Sequence, residues 1–458
     1  MKLSVFVRCL LLMVVLAGSN FTGYVASQDY YSNATGQAEE TVFALQWMQL
    51  LYDRVEGERR NVPQASRIYA YAGVALYESL RGGFPERPSL AGRLTAMPMM
   101  PTPDAGAEYD WLTVMNGAMA EAIPAIMAPL RNLGRADTIT GFNSAESNAT
   151  LRAVESLSSR QRGERAQVAN ADTLQRSYRY GQSIGQMIAD WASIDGFDST
   201  RDQTAAYQPP VGEGLWSSTT QGQLAMEPYW GSLRPFVLPQ ADACAVRLDV
   251  PFDNDMDSTF HLQALEVRDM QAQLTEDQRE VARFWDERVG ESGTASGHWL
   301  YVENLLVNYL DLSLADAATM YALVGITMAD SFISAWSLKY QVNLLRPETY
   351  IQTYIDPTWE PVRQAPPFPA YPSGHAVLGG AVAEVLTALF GPAAYVDRYG
   401  VQYGMQARLY TSFEAAAYEN ALSRLYAGVH YRVDMENGLE QGRCIGAHVL
   451  GRLKDTIP

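Results

Sequence analysis

The sequence is poor in lysine. Of its 458 residues 34 are basic, yet lysine occurs only at positions 2, 339 and 454, and arginine supplies the rest. Against 51 acidic residues the formal net charge is −17. A field of this sign repels phosphate backbones and anionic lipid headgroups, so we expect no nucleic-acid partner and no polybasic membrane contact. Lys339 is the only lysine far from both ends of the chain.

Cysteine is also scarce. Cys9 lies near the N-terminus, which leaves Cys244 and Cys444 as the two cysteines of the main body. Two cysteines are too few for a disulfide scaffold at this length. A single bridge between them and a pair of buried thiols are both compatible with the sequence.

Long apolar runs are limited to the N-terminus, where the residues have the order of a secretory signal. Two basic residues, Lys2 and Arg8, precede an apolar run over 9–18, and small residues follow that run. We predict that residues 1–27 are a signal peptide and that the mature protein is secreted, to the periplasm or the extracellular medium. We expect no membrane span and a soluble protein, because the most apolar later segment, 314–336, is interrupted by Asp316 and Asp330.

The hydrophobic pattern is helical almost throughout. Apolar residues recur at spacings of three and four and strict alternation is scarce, so we predict an all-α fold. Between 196 and 256 glycine, proline and polar residues interrupt the pattern, which divides the chain into two helical bundles packed together. The predicted halves are 28–245, which contains most of this connector, and 246–458. Helices are predicted near 38–60, 64–82, 109–130, 144–160, 172–194, 258–273, 275–290, 297–311, 313–340, 375–390, 399–426 and 433–453.

The C-terminal half contains three segments suited to binding an anion. In the first, Lys339 and Arg346 are seven residues apart and Pro347 follows. On one helix seven residues turn through about 700°, which brings the two cations to within about 20° of each other. We therefore expect both to reach one anion, on a helix that ends at Pro347.

The second segment is a proline-rich loop, 366–372, that leads into an apolar helix. Ser373 is predicted to cap this helix, so that its hydroxyl and the free N–H groups, including that of Gly374, point at one anion. His375 lies in the first turn, where it could exchange protons with a bound ligand.

The third segment runs from Arg424 to Asp434. Six residues on an unbroken helix would turn His430 about 240° away from Arg424, so both face one site only if the helix ends between them. Gly428 supplies such an end. Asp434 is one helical turn beyond His430, and it could orient that ring or pair with Arg432.

Histidine is rare enough for each one to be considered. The chain has five, and two of them fall inside these segments. His261, His298 and His448 lack the spacing of metal ligands, and we expect them to make hydrogen bonds in the core or at the surface. The sequence lacks the grouped carboxylates and imidazoles of a dinuclear metal cluster.

Taken in order, K-x6-R-P, P-S-G-H and S-R-x5-H resemble the signature shared by vanadium-dependent haloperoxidases and the type-2 phosphatidic acid phosphatase superfamily. The resemblance implies an all-α fold and a bound vanadate or phosphate. It makes His430 the ligand of vanadium, or the nucleophile toward phosphorus, and His375 the acid–base group. It also makes Lys339 catalytic, by polarising bound peroxide. The oxygens of the anion would be held by Lys339, Arg346, Ser373, Gly374 and Arg424.

At two aromatic positions the chain resembles the chloroperoxidase-like branch of this family. Trp336 and Phe368 occupy positions that flank the halide in that branch, and the resemblance implies a halide niche between them. The family also implies an acidic residue near Trp285 that supports the site. Asp286 and Glu287 are both candidates.

Three functions remain open at this point. The leading hypothesis is a secreted vanadium haloperoxidase that oxidises chloride, bromide and iodide with hydrogen peroxide to hypohalous acid, which then meets an organic acceptor. The alternative is a secreted acid phosphatase that forms a phosphohistidine at His430. The third is an oxyanion-binding protein without activity, which would have no use for the second histidine, His375. The oligomeric state, a homo-oligomer included, is left undetermined.

Overall fold

A computed structural model describes residues 38–128, 144–220 and 222–457. The predicted signal peptide, 1–27, lies outside these ranges. The described chain is mostly helical, with 62% helix and 3% strand, which confirms the all-α prediction. One hydrophobic core contains residues of both predicted halves, so it does not mark a boundary between them. The division into 28–245 and 246–458 stays a prediction.

In chain order, the described residues form fourteen α-helices, α1 to α14, and two short strands, β1 and β2. They are α1 Ala38–Gly57, α2 Val62–Leu80, α3 Trp111–Met127, α4 Ser144–Arg165, α5 Ala171–Ser193, α6 Phe197–Thr204, α7 Thr259–Gln273, α8 Glu276–Phe284, α9 Thr294–Tyr309, α10 Leu314–Val342, α11 Pro347–Tyr354, α12 Gly374–Phe390, β1 Tyr395–Asp397, β2 Arg408–Tyr410, α13 Phe413–Tyr426 and α14 Arg432–Arg452. The two strands pair antiparallel.

Helix α10 is the central element of the fold. It is long and apolar enough to cross a membrane by length and composition alone, but its apolar stretch is wholly buried in protein. It packs against α2 of the N-terminal half and α12 of the C-terminal half. Contact with α2 is close at Gly73, where a Cβ atom would lie 2.4 Å from the carbonyl oxygen of Tyr321. A larger residue at position 73 would therefore push the two helices apart.

The acidic residue in the middle of α10 has a structural explanation. The Asp330 carboxylate accepts hydrogen bonds from the backbone N–H groups of Phe236, Val237 and Leu238, at 2.7, 2.9 and 3.0 Å. Burial nevertheless raises the pKa of Asp330 to about 6. The connector between the halves is thus attached to the central helix, rather than hanging free as a linker.

Several predicted helix boundaries are wrong. A helix over 399–426 was expected, but a 3₁₀ turn, Tyr399–Tyr403, and strand β2 occupy its first part. Gly404 ends that turn with a φ of 75°, a backbone conformation that an α-helix cannot continue. The helix predicted over 275–290 ends at Phe284. Two helices of eight residues, α6 and α11, were missed because they lie beside glycine and proline.

A disulfide bridge joins Cys244 of the connector to Cys444 of α14, which settles the question that the sequence left open. The two cysteines are 200 residues apart in the sequence. A cross-link of this kind restricts the unfolded chain much more than the folded one. The bridge fixes the end of the connector against the C-terminal bundle.

Removal of this bridge should destabilise the protein. We expect the free energy of unfolding of the Cys244→Ala/Cys444→Ala variant to be lower by about 2–5 kcal/mol. Guanidinium denaturation of the variant and of the wild type measures the difference. Wild-type protein unfolded in a reducing agent is the control and should match the variant. Equal stability of oxidised wild type and variant would contradict the prediction.

Candidate active site

The three segments meet at a cavity of about 310 Å³ that is lined mostly by residues of the C-terminal half. Of the residues singled out in the sequence, eight line this cavity: Asp286, Glu287, Trp336, Phe368, Gly374, His375, Arg424 and His430. Lys339, Arg346 and Ser373 are buried and do not line the cavity themselves. Lys339 and Arg346 lie near the ring of Phe368, and Ser373 precedes Gly374 in the chain.

Lys339 and Arg346 are not on one helix, so the helical phase that we expected is wrong. Helix α10 ends at Val342, and Asn343 follows with a left-handed φ of 53°. Arg346 is the N-cap of the next helix and Pro347 its first residue. Proline starts this helix instead of ending the previous one, since it lacks the N–H group that a helix leaves unpaired at its first position. The change of chain direction at Asn343, and not a shared helix face, brings the two cations close together.

Lys339 is fully buried and directed at the proline-rich loop. Its ammonium group donates hydrogen bonds to the carbonyl oxygens of Pro369 and Ala370, at 3.0 and 2.9 Å, and to that of Pro372. These carbonyls take up all three of its hydrogens, so Lys339 affects the cavity through its charge rather than by direct contact. Burial, followed by the charge of Arg346, lowers the pKa of Lys339 well below its usual range.

Arg346 connects the loop to the third segment. Its Nε donates to the carbonyl oxygen of Phe368 at 2.9 Å, and its Nη1 lies 2.7 Å from that of Val429 and 3.0 Å from Nε2 of His430. Its Nη2 is buried and has no hydrogen-bond partner among the described residues. Burial lowers the pKa of Arg346 to about 9. A buried guanidinium with an unused N–H group is a strong potential donor to an anion.

His430 is held by Asp434, which answers the question of what that carboxylate does. Nδ1 of His430 donates to Oδ2 of Asp434 at 2.8 Å, whereas Arg432 pairs with Glu266. Burial, and then the charges of Arg346 and Lys339, lower the pKa of His430 well below 6.5. The ring is therefore neutral, with its proton on Nδ1 and a lone pair on Nε2.

The helix end predicted between Arg424 and His430 is confirmed. Helix α13 ends at Tyr426, and Gly428 has a φ of 77°. Arg424 has only 6% of its surface exposed, and its Nη2 has no hydrogen-bond partner within the described ranges. Burial lowers the pKa of Arg424. A second buried guanidinium thus lies beside the cavity with an unused donor.

The predicted cap of α12 is confirmed as well. Ser373 is the N-cap, and its hydroxyl oxygen accepts a hydrogen bond from the backbone of Ala376 at 3.4 Å. The backbone N–H of Ser373 donates to the carbonyl oxygen of Asp434 at 2.9 Å, which ties the second segment to the third. Gly374 keeps this corner open, because a Cβ atom there would lie 3.3 Å from the ring of Trp336.

His375 contacts one of the two acidic candidates. Its Nε2 lies 2.8 Å from Oε2 of Glu287, whereas Asp286 pairs with Arg288 and Arg363. Burial, followed by the charge of Arg424, lowers the pKa of His375. Glu287 is therefore the carboxylate that supports the site, and Nδ1 is the nitrogen of His375 left for a ligand in the cavity.

Sequence reasoning missed two residues behind Glu287. His298 donates to Oε1 of Glu287 through Nδ1, at 2.7 Å, and to Oδ2 of Asp397 through Nε2, at 2.8 Å. His298 is a hydrogen-bonded core histidine, as expected, but its link to His375 was not predicted. No spacing pattern joins positions 287, 298 and 397, which lie on separate elements. Of the other two histidines, His261 bonds Tyr350 and His448 lies beside the disulfide.

The balance of charge at the cavity favours an anion. Lys339, Arg346 and Arg424 are all buried, and Asp434 is a carboxylate whose charge acts on the first two. The acidic residues near Arg424 are already bonded to other cations or to histidine. Buried charges that lack counter-ions are costly, so an anion that contacts these cations would stabilise the site.

Protein stability should depend on pH through His298. Burial opposes the charge of this ring, but Asp397 and Glu287 outweigh it and raise the pKa from 6.5 to about 9. The resulting stabilisation is complete below pH 6.5 and is lost as the pH rises through about 9. It amounts to about 3 kcal/mol at most. Between these pH values, the free energy of unfolding should fall more for the wild type than for His298→Gln, as measured by denaturant titration. Parallel curves would show that His298 is uncharged.

The chain resembles known proteins, most clearly along its C-terminal bundle. Residues 319–458 match the family model described as the VCPO second helical-bundle domain. The vanadium chloroperoxidase of Curvularia inaequalis is 26% identical over a region that makes up 27% of this chain and 29% of that protein. The aligned region thus spans less than a third of that relative.

Solved structures cover nearly the whole chain. The crystal structure of the first bacterial vanadium-dependent iodoperoxidase has 31% sequence identity and a TM-score of 0.79, with 90% of this chain and 96% of that one covered. A holo-type bacterial vanadium-dependent chloroperoxidase has 12% identity and a TM-score of 0.63, with 87% and 93% covered, and supports the fold alone. On the strength of the 31% identity over almost the full length, the chain belongs to the vanadium haloperoxidase family.

Proposed function

We propose that the protein is a vanadium-dependent haloperoxidase that uses hydrogen peroxide to oxidise halide to hypohalous acid. The observation that carries the proposal is the pair of histidines at one cavity. Nε2 of His430 carries a lone pair, which accepts a hydrogen bond from Arg346, and His375 lines the same cavity with Nδ1 left for a ligand. A protein that only bound an oxyanion would not need the second histidine.

The donors present fit vanadate. Arg346 and Arg424 each have a buried Nη2 atom without a partner among the described residues, and vanadate is an oxyanion whose oxygens accept such hydrogen bonds. His430 would be its nitrogen ligand, and Ser373 and Gly374 lie at the positive end of α12. When bound, vanadate supplies an electrophilic centre that activates hydrogen peroxide toward halide.

His375 is the proposed general base. Its pKa is lowered by burial and by Arg424, so the ring is neutral near pH 7 and can accept a proton. Glu287 accepts a hydrogen bond from Nε2 of His375, so the proton from hydrogen peroxide would go to Nδ1. Protonation of the free base in acid should therefore reduce the rate constant kcat/KM for peroxide, with no corresponding loss as the pH rises through neutrality.

Trp336 and Phe368 are the proposed walls of a halide niche. Their ring centroids are 4.9 Å apart, and both rings line the cavity. Lys339 Nζ lies 5.0 Å from the centroid of the Phe368 ring, and the Arg346 guanidinium carbon lies 4.9 Å from it. An apolar surface backed by two cations suits a large, weakly hydrated anion. We propose turnover of iodide and bromide and also of chloride, which is the hardest of the three to oxidise.

Export is part of the proposal. The disulfide between Cys244 and Cys444 supports it, since such bonds persist in oxidising compartments. N-terminal sequencing of the mature protein tests removal of residues 1–27. Phosphatase activity is the competing function, because phosphate and vanadate have the same tetrahedral shape. Assays of halide oxidation with added vanadate and peroxide, and of phosphomonoester hydrolysis, separate the two.

The two histidines should differ in what their loss removes. We expect His430→Ala to lose tight vanadate binding, because the nitrogen ligand is gone. We expect His375→Ala to keep vanadate and to lose about 10²–10⁴-fold in kcat, the usual range for a general base. Calorimetric titration with vanadate and halide-oxidation assays measure the two effects. His261→Ala is the control, since this buried histidine contacts Tyr350 away from the cavity. Full activity and tight vanadate binding in His430→Ala would contradict the assignment.

Halide choice should respond to Phe368. The Phe368→His variant adds a hydrogen-bonding group to the apolar wall, and we expect chloride turnover to fall more than bromide turnover. Phe368→Leu is the matched control, because it removes the ring without adding a polar group. Rates with chloride, bromide and iodide at saturating peroxide are the measurement. Equal losses for every halide in Phe368→His would mean that Phe368 does not contribute to a halide niche.

A further inference from the structure

We propose that His298 and Asp397 are positioning residues that hold Glu287 ionised and thereby keep His375 in the tautomer with its proton on Nε2. The inference rests on the proposed function in one respect, namely that His375 is the acid–base group. The geometry itself does not depend on which reaction the cavity performs.

The hydrogen bonds define the proton positions along this network. Both nitrogens of His298 face carboxylate oxygens, Glu287 at 2.7 Å and Asp397 at 2.8 Å. Ionised carboxylates can only accept hydrogen bonds, so His298 carries a proton on each nitrogen and is an imidazolium. The second oxygen of Glu287 lies 2.8 Å from Nε2 of His375, which must then be the protonated nitrogen of that ring.

The ring of His298 is fixed on both faces. Trp285 stacks on one side with ring centroids 4.3 Å apart, and Tyr399 stacks with centroids 3.8 Å apart and an interplanar angle of 12°. The His298 side chain is fully buried. Two flat aromatic contacts and two charged hydrogen bonds leave the ring no other orientation, and this fixes the position of Glu287 as well.

The network ends inside the protein and does not lead to solvent. Asp397 is fully buried, and its other oxygen accepts a hydrogen bond from the backbone N–H of Tyr399 at 2.8 Å. A proton that reached Asp397 would have no onward acceptor among these contacts. The network is therefore suited to hold charge in place, and a role in carrying protons out of the cavity does not fit.

The charge state of each residue in the network depends on that of its neighbour. Burial alone would raise the pKa of Glu287, but the hydrogen bonds from His298 and His375 outweigh it and lower the pKa to about 2. His375 also faces Arg424, which lowers its pKa, and Asp286, which raises it. Without the charge of His298, burial would favour a protonated Glu287. A protonated Glu287 would donate to Nε2 of His375 and move the ring proton to Nδ1, the nitrogen required to act as the base.

The test reads the tautomer directly. ¹⁵N NMR of protein labelled in histidine distinguishes protonated from unprotonated ring nitrogens, and with only five histidines the signals can be assigned by single variants. In the wild type we expect His375 protonated on Nε2 alone and His298 protonated on both nitrogens at pH 7. In His298→Gln the proton of His375 should move toward Nδ1. Asp397→Asn should change the signals in the same direction to a smaller extent, and it preserves the shape of the side chain.

Kinetics provide the second readout. In His298→Gln, Nδ1 of His375 would carry the ring proton and could no longer act as the base. We therefore expect kcat for halide oxidation to fall by about 10²-fold or more, while vanadate affinity changes by no more than about threefold. The acid limb of the kcat/KM profile for peroxide should move to lower pH, because a neutral Glu287 no longer supports the charged form of His375. His261→Gln, which changes a buried histidine away from this network, should leave every readout as in the wild type.

Two results would overturn the inference. One is a wild-type His375 protonated on Nδ1, and the other is a His298→Gln protein with an unchanged tautomer and an unchanged pH profile. Failure of the proposed function has a different signature. A protein with the expected tautomers but without halide oxidation would keep the positioning role and exclude the haloperoxidase activity.

Discussion

Much of the site depends on the burial of Arg346. A guanidinium without exposed surface must find its partners inside the protein, and it does so in two segments that are distant in sequence. It donates to the carbonyl oxygen of Phe368 in the proline-rich loop, and to that of Val429 and to Nε2 of His430 in the segment after α13. The same residue that attracts an anion thus also holds together the walls that would surround it.

Lys339 completes this arrangement from the other side of the loop. Its contacts with the carbonyl oxygens of residues 369, 370 and 372 fix the backbone just before the N-cap Ser373. The connector contributes as well, because the carbonyl oxygen of Met226 accepts hydrogen bonds from Trp336 and Tyr340. These hydrogen bonds tie α10, the proline-rich loop and the connector to one another, the kind of support that holds a site in one geometry.

The sequence predicted local features of the site better than distant ones. The cap at Ser373 and the helix end at Gly428 depend on a few neighbouring residues, and both were found. The path between Lys339 and Arg346 was wrong, since Asn343 takes a left-handed conformation that helical periodicity does not reveal. Asp397 could not be found in this way, because its role arises only when strand β1 packs beside α9. Tertiary contacts of this kind leave no pattern in the order of residues.

Each of the two histidines of the cavity is hydrogen-bonded to a carboxylate, but through a different ring nitrogen. Asp434 accepts a hydrogen bond from Nδ1 of His430 and leaves Nε2 with a lone pair, whereas Glu287 accepts one from Nε2 of His375 and leaves Nδ1 with a lone pair. A carboxylate fixes the tautomer of a histidine in both cases. The surroundings then separate their roles, because His430 lies against Arg346 and is suited to bind an electrophile, whereas His375 has an ionised Glu287 that can stabilise a proton it accepts. Chemical difference between two identical side chains thus follows from which nitrogen each carboxylate contacts and from the charges nearby.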